Sequence, residues 1–223
     1  GLAMANLLEQ LLTLATAGTV MISSALTAAA PHNDINGLLY LQNRQWRSGS
    51  AYIPELREAD VKGKVRELRD DAAAALEQMA ADCKAETGFH LVSVSGYRSY
   101  QTQASIYQRK QKKVGTKRAD EFVARSGASE HQLGLAMDLG WEYKEKGKLR
   151  LYSGTSNKFP NSAAGAWATE NCWKYGFILR YPSDKSAVTG IIYEPWHYRY
   201  VGIEVASDVF NAQVTLEEYL EID

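Results

Sequence analysis

"SEHQLGLAMDLG", residues 129–140, sets a geometric problem whose solution decides what kind of fold this chain needs. His131 and Asp138 stand seven positions apart among glycines and small apolar residues. On a straight helix that spacing separates them by about 10 Å along the axis, and on a strand by more than ~20 Å. For both side chains to face one point the chain has to bend between them, and Gly134 is the residue that permits it. A loop that delivers His131, followed by a strand "LAMDLGW" that delivers Asp138, meets the requirement.

Upstream, Val65, Leu68, Ala72, Leu76, Met79, Ala80 and Cys83 recur at threes and fours between charged residues. This spacing predicts an amphipathic helix over 62–86, ended by Gly88, with one face in the core. "HLVSVSGYRSY" (90–100) reads as a strand running into a turn at Gly96, and "YQTQASIYQRKQKKVG" as a helix whose basic end suits a C-terminus. "TGIIYEPWHYRYVG" reads as a further strand, and "TLEEYL" opens with a Thr-to-Glu capping box. Helices before and between a few strands predict an α+β domain with a small, largely antiparallel sheet flanked by helices, covering residues 35–223.

The chain has 223 residues, 45% of them hydrophobic, and a formal net charge of -1 from 25 basic and 26 acidic side chains. Without clustered Lys and Arg, nucleic acid is excluded as the main partner. Cys83 and Cys172 offer neither a CxxC zinc site nor a dense disulfide framework, and leave one long-range disulfide or two buried thiols as the alternatives. Residues 1–34 form a separate N-terminal segment. Within it "LLTLATAGTVMISSALTAAA" (11–30) lacks charge and ends in small residues like a secretory signal, yet no Lys or Arg precedes Arg44. A trimmed export signal or membrane anchor, an amphipathic helix, and an artefact of the sequence boundary all fit it, and a membrane is expected as a partner only through such an anchor.

The second chemical stretch is "YEPWHYRY" (193–200). Pro195 forbids a helix interior, so Glu194 and His197 sit on an irregular or edge segment where a bend turns both side chains toward one point. His131, Asp138 and His197 make a set of two histidines and one carboxylate, which suits Zn2+ with a fourth position open for water. Glu194 is then the carboxylate left over to act as general base. His32 and His90 fall in no motif.

"SGYRSYQTQ", "SGASEHQLGLAMDLG", "YGFILRYP" and "TGIIYEPWHYRYVG", in this order, resemble the zinc-dependent peptidoglycan carboxypeptidases related to the vancomycin-resistance D,D-carboxypeptidases. That family also includes L,D-carboxypeptidases acting on cell-wall tetrapeptides. The resemblance covers roughly residues 35 to 205. It implies a compact α+β fold shared with zinc-binding hedgehog domains, and the pattern SxHxxGxAxD…ExxH maps onto Ser129, His131, Asp138, Glu194 and His197 without a gap. It also implies removal of the terminal D-alanine from peptidoglycan stem peptides. Such a reaction calls for a fixed cation for the carboxylate or oxyanion, and Arg98 in "YRS" is the candidate. By resemblance Gln103, Ser129 and Tyr181 join it in binding substrate; Arg180 reads either as a second carboxylate contact or as a strand salt bridge.

Three other readings share these residues: L,D-cleavage of a tetrapeptide, endopeptidase cleavage within a stem peptide or cross-bridge, and a zinc-stabilised binding module without turnover. The substrate implies an extracellular or cell-envelope location. The segment "EYKEKGKLRLYSGTSNKFPNS" is expected to form a mobile rim.

Overall fold

Two adjacent acidic residues, Asp70 and Asp71, mark the true start of the first long helix, where negative side chains complement the exposed N–H groups. In the computed structural model, which describes residues 32–221, this helix α1 spans Asp70–Thr87 and ends at Gly88 in the left-handed conformation. It buries Ala72, Leu76, Met79 and Cys83 as the spacing predicts. The expected stretch 62–69 differs. Lys62–Gly63 and Glu67–Leu68 are short strands, and Val65 is exposed with φ +47°. The cause is long-range: Lys62 and Gly63 pair in parallel with Val92 and Ser93, which outweighs the local helical spacing.

Among the described residues the further α-helices are α2 (Tyr100–Val114), α3 (Thr116–Phe122), α4 (Ala163–Asn171), α5 (Ser186–Thr189), α6 (Ile203–Ala212) and α7 (Leu216–Tyr219). The strands are β1 (Arg57–Glu58), β2 (Lys62–Gly63), β3 (Glu67–Leu68), β4 (Leu91–Ser95), β5 (Ala136–Glu145), β6 (Lys148–Tyr152), β7 (Phe177–Leu179) and β8 (His197–Tyr200). The main sheet has the order β2-β4-β5-β8-β7, with β6 paired to β5, while β1 and β3 form a separate ribbon. Every pair is antiparallel except β2 with β4. The α+β class with a small, mostly antiparallel sheet is therefore as expected. The core between sheet and helices holds Leu76, Met79, Leu91, Phe159, Phe177 and Tyr198, all nearly inaccessible to solvent.

Two local expectations change, and the alternative left open for the cysteines is decided. The stretch read as a mobile rim begins as a regular hairpin, with Trp141 opposite Tyr152 and Glu145 opposite Lys148. Its two-residue turn, Lys146–Gly147, has positive φ at both positions, the hairpin-favoured turn geometry. In "TGIIYEPWHYRYVG" only His197–Tyr200 is strand. Cys83 and Cys172 are separate, buried thiols rather than a disulfide. The Thr215 capping box forms as read, its hydroxyl accepting from Glu218 N–H while the Glu218 carboxylate accepts from Thr215 N–H.

The chain divides into two compact units, residues 1–40 and 41–223. In the first, the described residues include a short turn in which Gly37 N–H donates to the Asp34 carbonyl at 2.9 Å. The stretch 11–30, with its export, anchor and helix readings, lies outside the described residues. Among the described residues no helix is long and apolar enough to cross a membrane.

Candidate metal centre

The bend demanded by the spacing of His131 and Asp138 is present. Glu130–Leu133 form one 3-10 turn, and Gly134 ends it at φ +68°. A Cβ there would also stand 3.2 Å from the Arg69 backbone nitrogen, which adds to the preference for glycine. The chain then enters β5, whose central position places Asp138 between Ser95 of β4 and His197 of β8. Pro195 and Trp196 form a β-turn closed by His197 N–H donating to the Glu194 carbonyl at 3.1 Å. Proline presets the second position of such a turn, and the turn folds Glu194 back beside His197.

The result is a convergence of three atoms. Asp138 Oδ1 lies 3.4 Å from His131 Nε2 and 3.1 Å from His197 Nδ1. One donor atom from each residue falls within 4.8 Å of the other two, and all three residues are buried. Asp138 Oδ1 nevertheless has no hydrogen-bond partner of proper geometry. A buried carboxylate oxygen left that way is costly unless a cation meets it, so these atoms fit a metal ion better than they fit one another.

Each histidine is oriented by its other nitrogen. His131 Nδ1 lies 2.7 Å from the Gly96 carbonyl, which fixes Nδ1–H as donor and leaves the Nε2 lone pair facing Asp138. Gly96 itself lies close against the segment before the first helix, since a Cβ there would stand 2.5 Å from the Glu67 carbonyl oxygen and 2.8 Å from that of Val65. His197 Nε2 lies 3.3 Å from Glu130 Oε2, leaving Nδ1 for the centre.

Burial, and then the Arg98 charge, push the His131 pKa down, keeping that ring neutral as a ligand must be. At His197 burial acts against the charge, but Asp138 and Glu130 outweigh it and push the pKa up to about 9. A site that draws a proton onto a buried histidine in this way attracts cations. Glu194 Oε2 sits 3.6 Å from His197 Nδ1, and burial pushes its carboxyl up to about 8, with the Asp138 charge adding to the rise.

Every site residue named from the sequence lines one cleft of ≈ 370 Å³, together with apolar groups such as Phe122, Ile191 and Trp196. Arg98 donates from Nη1 to Gln103 Oε1 (2.7 Å) and from Nη2 to Ser95 Oγ (3.1 Å), with Asp138 Oδ2 at 3.4 Å. Gln103 Nε2 in turn donates to the Ala124 carbonyl at 2.6 Å, so both ends of this amide already hold partners. The Tyr181 ring packs 4.9 Å from that of His197, and its carbonyl accepts from Glu194 N–H. The Ser129 carbonyl accepts from Gln42 Nε2 at 2.8 Å.

Sequence reasoning missed Glu130 and the charges around it. Glu130 is fully buried, and its Oε1 accepts from both Arg180 Nε and Arg199 Nη1 at 2.7 Å. Arg180 also forms a two-pronged pair with Glu217 at 2.7 and 2.8 Å. Of the two readings open for Arg180, the salt bridge is the one present, and its side chain is taken up by Glu130 and Glu217 rather than lining the cleft. The available signal was Arg199 itself, a charge between two tyrosines in a strand that reads as core. Burial works against ionisation of Glu130, but the two guanidinium groups hold its carboxyl well below the usual range.

Residues 65–203 match the VanY family model, described as D-alanyl-D-alanine carboxypeptidase. The YodJ protein of Bacillus subtilis (strain 168) is 40% identical over 196 residues, covering 82% of this chain and 67% of its own length. The bifunctional D-Ala-D-Ala dipeptidase and carboxypeptidase VanXYC of Enterococcus gallinarum is 38% identical over 152 residues, 68% of this chain and 76% of its own. Among solved structures, the LD-carboxypeptidase LdcB superposes with a TM-score of 0.75 at 38% identity, covering 85% of this chain and 89% of that one. Sequence, fold and site geometry thus agree, and the chain belongs to the VanY family of D-alanyl-D-alanine carboxypeptidases.

Proposed function

We propose that this chain removes the C-terminal D-alanine from peptidoglycan stem peptides, with Zn2+ held by His131, Asp138 and His197. The observation that carries the reading is the convergence of His131 Nε2, Asp138 Oδ1 and His197 Nδ1 with Glu194 Oε2 beside them at the cleft. A solved VanY relative, 33% identical and with a TM-score of 0.67, is in complex with Zn(II), which supports the choice of ion; the match covers 82% of this chain and 98% of that one. When bound, the ion supplies Lewis acidity that brings the pKa of water toward ~7 and polarises a carbonyl.

The chain's own groups do the rest. Glu194 Oε2 accepts the proton of the attacking water and returns it to the leaving D-alanine amine. Arg98, held in its fork by Gln103 and Ser95, supplies fixed positive charge where the tetrahedral oxyanion develops or where the substrate carboxylate lies. Gln103 contributes by fixing Arg98, while Ser129 and Tyr181 line the cleft and bind the terminal residue. A substrate of this kind lies outside the cytoplasmic membrane, so the protein acts at the cell envelope or extracellularly.

L,D-cleavage of a tetrapeptide is the second reading, favoured by the likeness to an LD-carboxypeptidase. Glu194→Ala tests the assignment common to both. Loss of D-alanine release with zinc stoichiometry unchanged is the expected result; retained turnover would remove Glu194 from the role of base.

A further inference from the structure

Glu217 lies in the last helix, beyond residue 203 where the family match ends, yet it reaches the metal centre through two links. Its carboxylate takes Arg180 Nη1 and Nη2 at 2.8 and 2.7 Å. That leaves only Arg180 Nε for Glu130, on Oε1 at 2.7 Å, beside Arg199 Nη1 on the same oxygen at 2.7 Å. The second oxygen of Glu130 stays with His197 Nε2, at 3.3 Å. Glu130, Arg180 and Arg199 are essentially inaccessible to solvent, and Glu217 is 4% exposed.

We infer that Glu217 is a positioning residue for the metal centre, holding the His197 ring in its ligating orientation by occupying the far side of Arg180. The inference rests on the proposed reading that His131, Asp138 and His197 bind zinc. Two physical effects give it the same sign. Without the Glu217 carboxylate, the Arg180 fork has unpaired buried donors, and turning it onto both oxygens of Glu130 satisfies them at the expense of the bond to His197. The group Glu130, Arg180, Arg199 and Glu217 carries two positive and two negative charges. Losing one carboxylate leaves a net positive charge behind a ligand that must accept a divalent cation. A partner that orients a metal-binding histidine is typically worth 10- to 100-fold in affinity. Glu217 acts two contacts further out, through Arg180 and Glu130, so the lower end, about tenfold, is expected.

The test is zinc affinity, by competition with a chromophoric chelator, together with thermal unfolding, on the full chain and its variants. Glu217→Gln is expected to bind zinc about tenfold more weakly while remaining folded. The double variant Glu217→Gln with Arg180→Met removes one charge of each sign and is expected to recover most of that loss. Leu216→Ala, which opens a gap in the same helix without touching the charges, is expected to lower the melting temperature and leave zinc affinity alone. Wild-type affinity in a folded Glu217→Gln overturns the inference, as does an equal loss in Leu216→Ala. If Glu217→Gln does not fold, Glu217→Asp keeps the charge and breaks the two-pronged pair; unchanged affinity there also overturns it. Failure of the wild-type protein to bind zinc would instead strike the underlying reading.

Discussion

At the residue scale, the nitrogen each histidine offers to the centre is selected by what the other nitrogen touches. Gly96 O takes His131 Nδ1–H and Glu130 takes His197 Nε2–H, so the two rings present different nitrogens to Asp138. In the zinc-loaded protein, long-range proton–nitrogen NMR should show His131 Nε2 and His197 Nδ1 as the unprotonated, metal-facing atoms. The reverse assignment for either ring would contradict the account. Arg98 is a second point of leverage, since three polar side chains define the position of its planar fork. Arg98→Lys keeps the charge and loses the fork; D-alanine release should fall by about 10²- to 10³-fold, with zinc stoichiometry retained.

At the scale of elements, the helix Asp70–Thr87 supports the sheet without touching the chemistry. Leu76→Ala should cost roughly 2–5 kcal/mol in denaturant unfolding and leave zinc affinity unchanged; a large loss of affinity would show the helix to be coupled to the site. The segment after α3 is tied differently. Arg125 hydrogen-bonds both oxygens of Asp120, and Tyr107 donates to the same carboxylate at 2.8 Å. Those bonds, Arg125 first, pull the Asp120 pKa down to about 2. A carboxyl depressed in the folded state stabilises the fold above its unfolded pKa of about 4, and that contribution is lost as pH falls from about 4 toward 2. Stability should therefore drop over this window, and Asp120→Asn should flatten the drop. An identical pH profile in the variant would show that the pair contributes nothing measurable.

At the scale of the whole molecule, what the sequence made legible was what local constraints determine. Gly134 had to permit a bend, Pro195 had to break regular structure, and Gly88 and Thr215 mark helix ends; each feature is where its chemistry demands. What stayed hidden depends on partners far away in the chain. Residues 62–69 carry helical spacing, but Lys62 and Gly63 are drawn into a strand by Val92 and Ser93, and Glu67 and Leu68 by Glu58 and Arg57. Glu130 looks like an ordinary surface acid until Arg180, Arg199 and Glu217, from three other segments, close around it. The hairpin turn at Lys146–Gly147 lacks the Asn-Gly or Asp-Gly signal that would have announced it. The same packing isolates the two thiols, which burial pushes up to about 11 for Cys83 and about 12 for Cys172. A thiol reagent at pH 8 should label neither in the native protein and both after denaturation; rapid native labelling would contradict the buried placement.

The measurement that tests the central claim most directly is release of free D-alanine by the zinc-loaded protein from two synthetic muropeptides, a pentapeptide ending in D-Ala-D-Ala and a tetrapeptide ending in D-alanine, with Glu194→Ala as control. Release from the pentapeptide, absent in the control, is the predicted result, and release from the tetrapeptide alone would make the protein an L,D-enzyme on the same site. No release from either by a protein that holds its zinc would contradict the account.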